Sequence, residues 1–233
     1  PTEQMQLMAV RECGEYLKYI RNPTNAVKLE AVNQIESAIR YIENPPEEAQ
    51  MAAVRMNWTY LKYIKDPAEA VQMEAVKICV YALKHIENPA LEVQLEAVRK
   101  NPKAIYFINN PCEEVQLEAV NSPMAIKYIK NPTENVQMKA VFNNPEAIRH
   151  IKNPGEEIQV AAVSLDYSTL RMIDGGPCEK AQLIAVEKDF SSISYIDNPS
   201  EEVYNAFLLR REEWLREKEE EDREEDVSFD ERE

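Results

Sequence analysis

The sequence predicts an all-α protein, an α-solenoid of about nine to ten two-helix repeats of about 22 residues each, elongated and curved. Three observations predict it. A proline recurs at steps of 21 to 23 residues, an Ala-Val pair follows it in all nine complete units, and an isoleucine closes each unit. Because a single unit of this size cannot bury enough apolar surface to fold, the units must stack and share one core.

The recurring proline marks the start of the first helix in each unit. Asn or Asp precedes it in eight of nine cases, and only Gly176 departs from this pattern. Asn110 as N-cap, Pro111 as the first helical residue and Glu113 as the third would form a capped helix start. The helix is expected to run for about ten residues, through the Ala-Val pair. The prolines are Pro1, Pro23, Pro45, Pro67, Pro89, Pro111, Pro132, Pro154, Pro177 and Pro199.

A second, shorter helix follows in each unit. It has its own proline start in three units, at Pro102, Pro123 and Pro145. A Tyr, His, Phe or Met precedes the isoleucine at its end, and no strand pattern interrupts the array. The isoleucines are Ile20, Ile42, Ile64, Ile86, Ile108, Ile129, Ile151, Ile173 and Ile196.

The consensus NPxEEVQLxAV followed by NPxAIxYIKNP resembles the short helical repeats of the leucine-rich-variant and HEAT-like class. Such repeats are similar to those of bacterial and viral repeat proteins of unknown function. The resemblance covers residues 1–209 and implies a helical-repeat scaffold with no catalytic motif to carry over.

A glutamine recurs inside the apolar face of the first helix. At about 100° per residue, Gln116 falls in the middle of the apolar arc that begins at Val115. Eight unpartnered amides, at about 1–3 kcal/mol each, would exceed ordinary domain stability. Either they form a structural ladder that bonds backbone groups in the turns, or they form a polar stripe that binds a peptide or nucleotide. They are Gln6, Gln50, Gln72, Gln94, Gln116, Gln137, Gln159 and Gln182, and the exceptions are Lys28 and Tyr204.

The second helix carries a row of basic residues, which the wheel turns outward, and tyrosines stand next to them before the isoleucine. The row could track a polyanion, or it could pair with glutamates of neighbouring units; Glu74 with Lys77 and Glu96 with Arg99 also have the spacing of ion pairs within one helix. The tyrosines could stack on bases or pack at the edge of the core. The candidate binding residues of this repeat surface are Lys18, Arg40, Lys62, Lys84, Lys127, Arg149 and Arg171, with Tyr19, Tyr41, Tyr63 and Tyr128.

Composition narrows the function classes. The 233 residues have a net charge of −15, which repels nucleic acids and anionic membranes. No apolar run reaches the roughly 18 residues of a membrane span, and no secretory signal opens the sequence, so we expect a cytoplasmic protein without a membrane partner. The four cysteines and four glycines form no metal-binding or phosphate-binding pattern, so we expect no metal, no cofactor and no enzymatic activity.

Three segments organise the chain. Residues 1–209 form the helical-repeat solenoid, in which residues 164–180 are irregular and form either a hinge or a tolerated insertion beside Gly175 and Gly176. Residues 199–218 are predicted to form a capping helix, with Val203, Phe207 and Trp214 near one face. Residues 219–233 are predicted to form an acidic tail, which either solvates the chain or docks on a basic partner.

These features favour a non-enzymatic binding scaffold that engages a protein or peptide along its curved repeat surface. An alternative is an acidic inhibitor, encoded by a virus or a mobile element, that blocks a nucleic-acid-handling or defence enzyme. Binding of nucleic acid or a nucleotide through the basic row is the least favoured hypothesis.

Overall fold

A computed structural model describes residues 1–122 and 124–230, with side chains except at positions 222 and 224–230. All regular structure in these residues is helical, and none of them forms a strand. The helices follow one another in repeating pairs, which confirms the predicted all-α repeat class. They belong to two compact units, Pro1–Ala119 and Val120–Glu233.

Each repeat consists of an α-helix followed by a 3-10 helix. Within each unit, consecutive α-helices pack on one another, and so do consecutive 3-10 helices. The α-helices are α1 (Glu3–Glu12), α2 (Asn25–Gln34), α3 (Glu47–Met56), α4 (Glu69–Ile78), α5 (Leu91–Lys100), α6 (Glu113–Ala119), α7 (Glu134–Asn143), α8 (Glu156–Leu165), α9 (Glu179–Lys188) and α10 (Glu201–Asp230). The 3-10 helices span Gly14–Tyr19, Glu36–Tyr41, Trp58–Tyr63, Val80–His85, Pro102–Phe107, Ala125–Tyr128, Pro145–His150, Tyr167–Met172 and Phe190–Tyr195.

The predicted start of the α-helix is wrong by two residues. The N-cap is the residue after the proline, and the helix begins with the next one. Thr24 shows this, because its hydroxyl accepts a 3.4 Å hydrogen bond from the N–H of Val27. Asn110 is therefore not the cap; it lies before Pro111 with a φ of 49°, and Gly176 takes the equivalent left-handed conformation at 87°. The residue before the proline thus serves the turn and not the helix.

An extended residue separates the α-helix from the 3-10 helix. In five repeats it is Asn or Asp, and its side chain accepts from the N–H two residues later, as Asn101 does from Lys103 at 3.1 Å. Pro102 and Pro145 begin their 3-10 helices as predicted, because proline lacks the N–H that this position leaves unpaired. Pro123 lies outside the described residues.

The core of each unit lies between the α-helices and the 3-10 helices. The recurring Ala-Val pair supplies one side of it, and Ala75 and Val76 are both fully buried. The 3-10 helix supplies the other side through an apolar residue three positions before the recurring isoleucine. In the first eight repeats this residue is buried more deeply than the isoleucine, whereas in the ninth Ile193 is half-buried and Ile196 is 7% exposed. Leu83 is 1% exposed, against 6% for Ile86. Small alanines let neighbouring helices approach closely, so each repeat buries a compact apolar layer.

The last helix, α10, continues from the repeat array to Asp230. Near its start Val203 is fully buried, and the rings of Phe207 and Trp214 lie 6.3 and 5.5 Å from that of Phe190. The predicted capping segment and residues 219–230 of the predicted acidic tail therefore belong to one helix. The remaining residues of that tail, 231–233, lie outside the described part of the chain.

Candidate binding surface

The recurring glutamines bond the turn that precedes their own helix. In all eight, the side-chain Nε2 donates to the backbone oxygen of the repeat's first proline, as Gln116 does to Pro111 at 2.9 Å. The side chain thereby ties the turn to the second turn of the helix. Gln116 is 7% exposed, so this bond satisfies a donor that water scarcely reaches.

Three of the glutamines also reach the next repeat. Oε1 of Gln50, Gln72 and Gln159 accepts from the N–H of the next repeat's N-cap residue, at 3.2, 3.1 and 2.7 Å. Among the described atoms, Oε1 of Gln6, Gln94 and Gln116 is buried without a hydrogen-bond partner. The row thus has the bonding of a ladder inside and between repeats, and not that of a stripe of free amides.

The second repeat cannot form the hydrogen bond between the glutamine oxygen and the N-cap N–H of the next repeat, because both groups are missing. Lys28 stands in the glutamine position, and a lysine ammonium can donate but cannot accept. The residue that would donate to it is Pro46, which has no N–H. The second repeat thus lacks the amide oxygen as acceptor, and the third lacks the N–H as donor. Lys28 therefore leaves no backbone N–H at this position without a partner.

A second feature, the basic-aromatic row, runs over the 3-10 helices. In the first unit it comprises Lys18, Tyr19, Arg40, Tyr41, Lys62, Tyr63, Lys84, Tyr106 and Phe107, all but Phe107 exposed. Each cation of the row in this unit lies over an aromatic ring at a distance typical of cation–π contacts. Lys18 Nζ is 5.0 Å from the ring centre of Tyr19, and Lys62 Nζ is 4.9 Å from that of Tyr63.

Some of these stacks join neighbouring repeats. Lys18 Nζ also lies 5.9 Å from the ring of Tyr41, and Lys84 Nζ lies 4.8 Å from that of Phe107. Electrostatic attraction to Tyr19, with smaller contributions from Tyr41 and Glu15, raises the pKa of Lys18 above its ordinary 10.5. Lys18 is charged at neutral pH, as lysine ordinarily is, and cations and rings alternate along this unit's surface.

The second unit carries its own part of the row. Lys127 Nζ lies 5.0 Å from the ring of Tyr128, and Arg171 Cζ lies 5.8 Å from that of Tyr195 in the next repeat. Arg149 donates to the sulfur of Met172 at 3.2 Å. Burial of the His150 imidazole, and then repulsion by Lys127 and Arg149, lower its pKa below the ordinary 6.5.

Ion pairs between repeats lie on the α-helices instead. Arg55 binds Glu74 at 3.0 Å, and Arg99 binds Glu118 at 3.4 Å, each partner belonging to the following repeat. Glu74 thus pairs with the preceding repeat, and the expected pairing with Lys77 in its own helix is wrong. On the 3-10 helices, two cations of the row also pair with a glutamate of their own helix, Lys18 with Glu15 at 3.8 Å and Arg149 with Glu146 at 4.0 Å.

The structure places the predicted binding residues together within each unit. All seven predicted cations are exposed, as are Tyr19, Tyr41 and Tyr63, while Tyr128 is half-buried. Sequence reasoning missed Tyr81 and Tyr106, which extend the row; Tyr81 lies 5.3 Å from Lys84 Nζ. It also treated Lys28 as a mere exception. Tyr106 stands where most repeats have a cation of the row, and Lys28 stands where they have glutamine, so these two departures were the available signal.

The described residues contain no helix long and apolar enough to cross a membrane. Nor do they bring three or more His, Cys, Asp or Glu side chains together in a group that could hold a metal ion. Comparison with protein-family models, characterised proteins and solved structures finds no match to this chain. The resemblance to leucine-rich-variant and HEAT-like repeats stays a prediction.

Proposed function

We propose that this protein is a non-enzymatic scaffold that binds an extended segment of another protein, or a peptide, along its basic-aromatic row. The observation that carries the proposal is the regular exposure of stacked cation and ring pairs on consecutive 3-10 helices. Tyr19, for example, is 75% exposed although its ring already lies against Lys18. Solvent-facing rings held in place by a neighbouring charge bind at a low entropic cost, because little side-chain freedom is left to lose.

The alternation of charge and ring favours a peptide over a nucleic acid. Seven of the nine 3-10 helices that the structure describes carry a cation of the row, and most of these carry a ring beside it. This pattern suits a chain whose side chains are alternately acidic and aromatic. A nucleic acid presents a continuous line of phosphates, and the net charge of −15 repels it wherever it leaves the row. Electrostatic complementarity therefore favours acidic peptides, because it speeds their association and fixes their orientation on the row.

A binding experiment with defined peptides tests the proposal. The probe is a fluorescein-labelled, capped decapeptide of alternating Glu and Tyr, read by fluorescence anisotropy, with Gln-Tyr and Lys-Tyr versions for comparison. We expect Glu-Tyr to bind best, and the Lys62→Ala, Tyr63→Ala double variant to bind it about tenfold more weakly.

The matched control is the Lys77→Ala, Ile78→Ala double variant. It also removes one exposed lysine and one adjacent exposed apolar residue, but from α4 and not from the row. We expect it to bind like the intact chain. Equal losses in the two variants, or no binding of any of the three peptides to the intact chain, would overturn the proposal.

A second candidate function, that of an acidic inhibitor, rests on α10. Residues 211–221 of this helix are exposed throughout. Residues 210–233 hold thirteen acids and six bases. A helix with this charge suits a basic partner surface. Removal of residues 219–233 tests it: inhibition of a nuclease or polymerase that survives the removal would rule out the acidic helix as the inhibitory element.

A further inference from the structure

Lys28, which replaces the recurring glutamine in the second repeat, lines a groove on the first unit. The groove has a volume of about 440 Å³, within the range of roughly 300–1,000 Å³ typical of small-ligand sites. Its lining includes the half-buried Lys28 together with Tyr41, which also belongs to the basic-aromatic row. The complete lining is Asn22, Pro23, Lys28, Tyr41, Ile42, Glu43 and Asn44.

The lining of the groove holds one cation and one carboxylate, and two further cations lie beside its Tyr41 wall. Lys28 forms no ion pair within the part of the chain that the structure describes, and neither does Glu43, the one carboxylate of the lining. Lys18 Nζ and Arg40 Cζ lie 5.9 and 5.6 Å from the ring of Tyr41. Lys18 also pairs with Glu15 at 3.8 Å. Three cations and two carboxylates therefore lie in or beside the groove, in a chain that is strongly acidic as a whole.

The donors in the groove are suited to a carboxylate. An ammonium carries three donors, and the backbone oxygen of Pro23, the group a glutamine would bond in other repeats, can take only part of that capacity. The amides of Asn22 and Asn44 and the hydroxyl of Tyr41 are further donors in the lining. A hydrogen bond from a charged group to a carboxylate is about twice as strong as a neutral one.

We propose that the groove at Lys28 receives an acidic side chain of the peptide that lies along the basic-aromatic row. This inference rests on the proposed function, since the peptide backbone is held by the row and the groove selects one of its side chains. Tyr41 connects the two, because it belongs to both. Lys28 would then fix the register of an otherwise repetitive interaction, since no other repeat places a lysine in the glutamine position.

The test uses the full chain, its Lys28→Gln variant and the labelled Glu-Tyr decapeptide. Glutamine occupies this position in eight repeats, so the variant is expected to fold, and its unfolding midpoint checks this. Lys77→Gln is the control, because it removes the same charge from an exposed site on α4. We expect Lys28→Gln to weaken binding about tenfold and Lys77→Gln to change it by less than about twofold.

A series of peptides identifies which Glu of the probe binds Lys28. Each member replaces a single Glu of the probe by Gln. For one member, we expect weaker binding to the intact chain but no further loss in Lys28→Gln, as coupling between two partners requires.

The outcomes separate the two proposals. If Lys28→Gln binds the probe as tightly as the Lys77→Gln control while the Lys62→Ala, Tyr63→Ala variant has lost binding, the scaffold function stands and the role of the groove is wrong. If every single Glu replacement couples equally to Lys28, general charge attraction explains the effect and the inference also fails. If the intact chain binds no peptide, the scaffold function itself is overturned.

Discussion

The backbone N–H of Ala90 donates a 3.1 Å hydrogen bond to Oε1 of Gln72, a residue of the preceding repeat. The same amide donates through Nε2 to the oxygen of Pro67, 2.9 Å away, at the start of its own repeat. One buried side chain therefore joins two successive turns that would otherwise leave a donor and an acceptor unpaired. This geometry explains why a polar residue is kept on an apolar helix face.

Replacement of Gln72 by Leu should destabilise the protein. The variant leaves the Pro67 oxygen and the Ala90 N–H without their partner, and we expect the free energy of unfolding to fall by about 1–3 kcal/mol. Gln94→Leu is the control, because Oε1 of Gln94 is buried and already unpartnered. Denaturant unfolding compares the two, and a loss in Gln94→Leu as large as that in Gln72→Leu would contradict the role of the second bond.

Gly14 should not tolerate even a methyl group. A Cβ at this position would lie 2.5 Å from the oxygen of Ala31 and 2.6 Å from Cγ2 of Ile35, both in the next repeat. We expect Gly14→Ala to cost about 1–3 kcal/mol, as overpacking does. Gly155→Ala is the matched control, because its Cβ would meet only Glu134 Oε1 at 3.9 Å and its φ is −61°. Thermal unfolding should show a lower midpoint for the first variant and an unchanged or slightly higher one for the second.

His150 should make the second unit less stable in mild acid. Burial and the charges of Lys127 and Arg149 lower its pKa in the folded state below 6.5, so the unfolded chain binds the proton more tightly. Its contribution to stability is present above pH 6.5 and is lost as the pH falls through the folded-state pKa. An NMR titration of the imidazole protons measures this pKa.

The Lys127→Gln variant tests whether Lys127 helps to lower the pKa of His150. Removing one of the two repelling cations should raise the pKa of His150 towards its ordinary value, while the remaining burial keeps it lowered. A titration that is the same in the variant and the intact chain would mean that Lys127 does not act on the imidazole.

The ring of Trp214 should stabilise the end of the second unit. It lies 5.5 Å from Phe190, and such ring pairs contribute about 0.5–1.5 kcal/mol beyond their burial. Leu215→Ala is the control, because Leu215 is adjacent and 43% exposed. Trp214→Ala should lower the unfolding midpoint more than this control does. Equal effects of the two substitutions would show that the aromatic contact adds nothing to stability.

Much of the fold was predictable because the repeat amplifies weak local signals. One Ala-Val pair indicates little, but its recurrence in nine units identifies the buried face of every α-helix. Helix starts were less predictable. Asn followed by Pro satisfies the local rules for an N-cap, yet Thr133 and its equivalents take that role, and the oxygen of the preceding Pro132 bonds Gln137. The candidate row was predicted as exposed basic residues and tyrosines, but not as stacked pairs.

The sequence by itself determined the repeat period, the all-α class, the buried alanines and valines, and the position of the glutamines on the apolar face. These properties depend on residues within one or two helical turns of each other, which a periodic pattern records. Only the tertiary structure decided which groups of the next repeat the amides bond, that Lys18 meets Tyr41, and that Lys28 lines a groove together with Tyr41 and Asn44. Those contacts join residues about one repeat apart, so they depend on the distance at which neighbouring repeats stack.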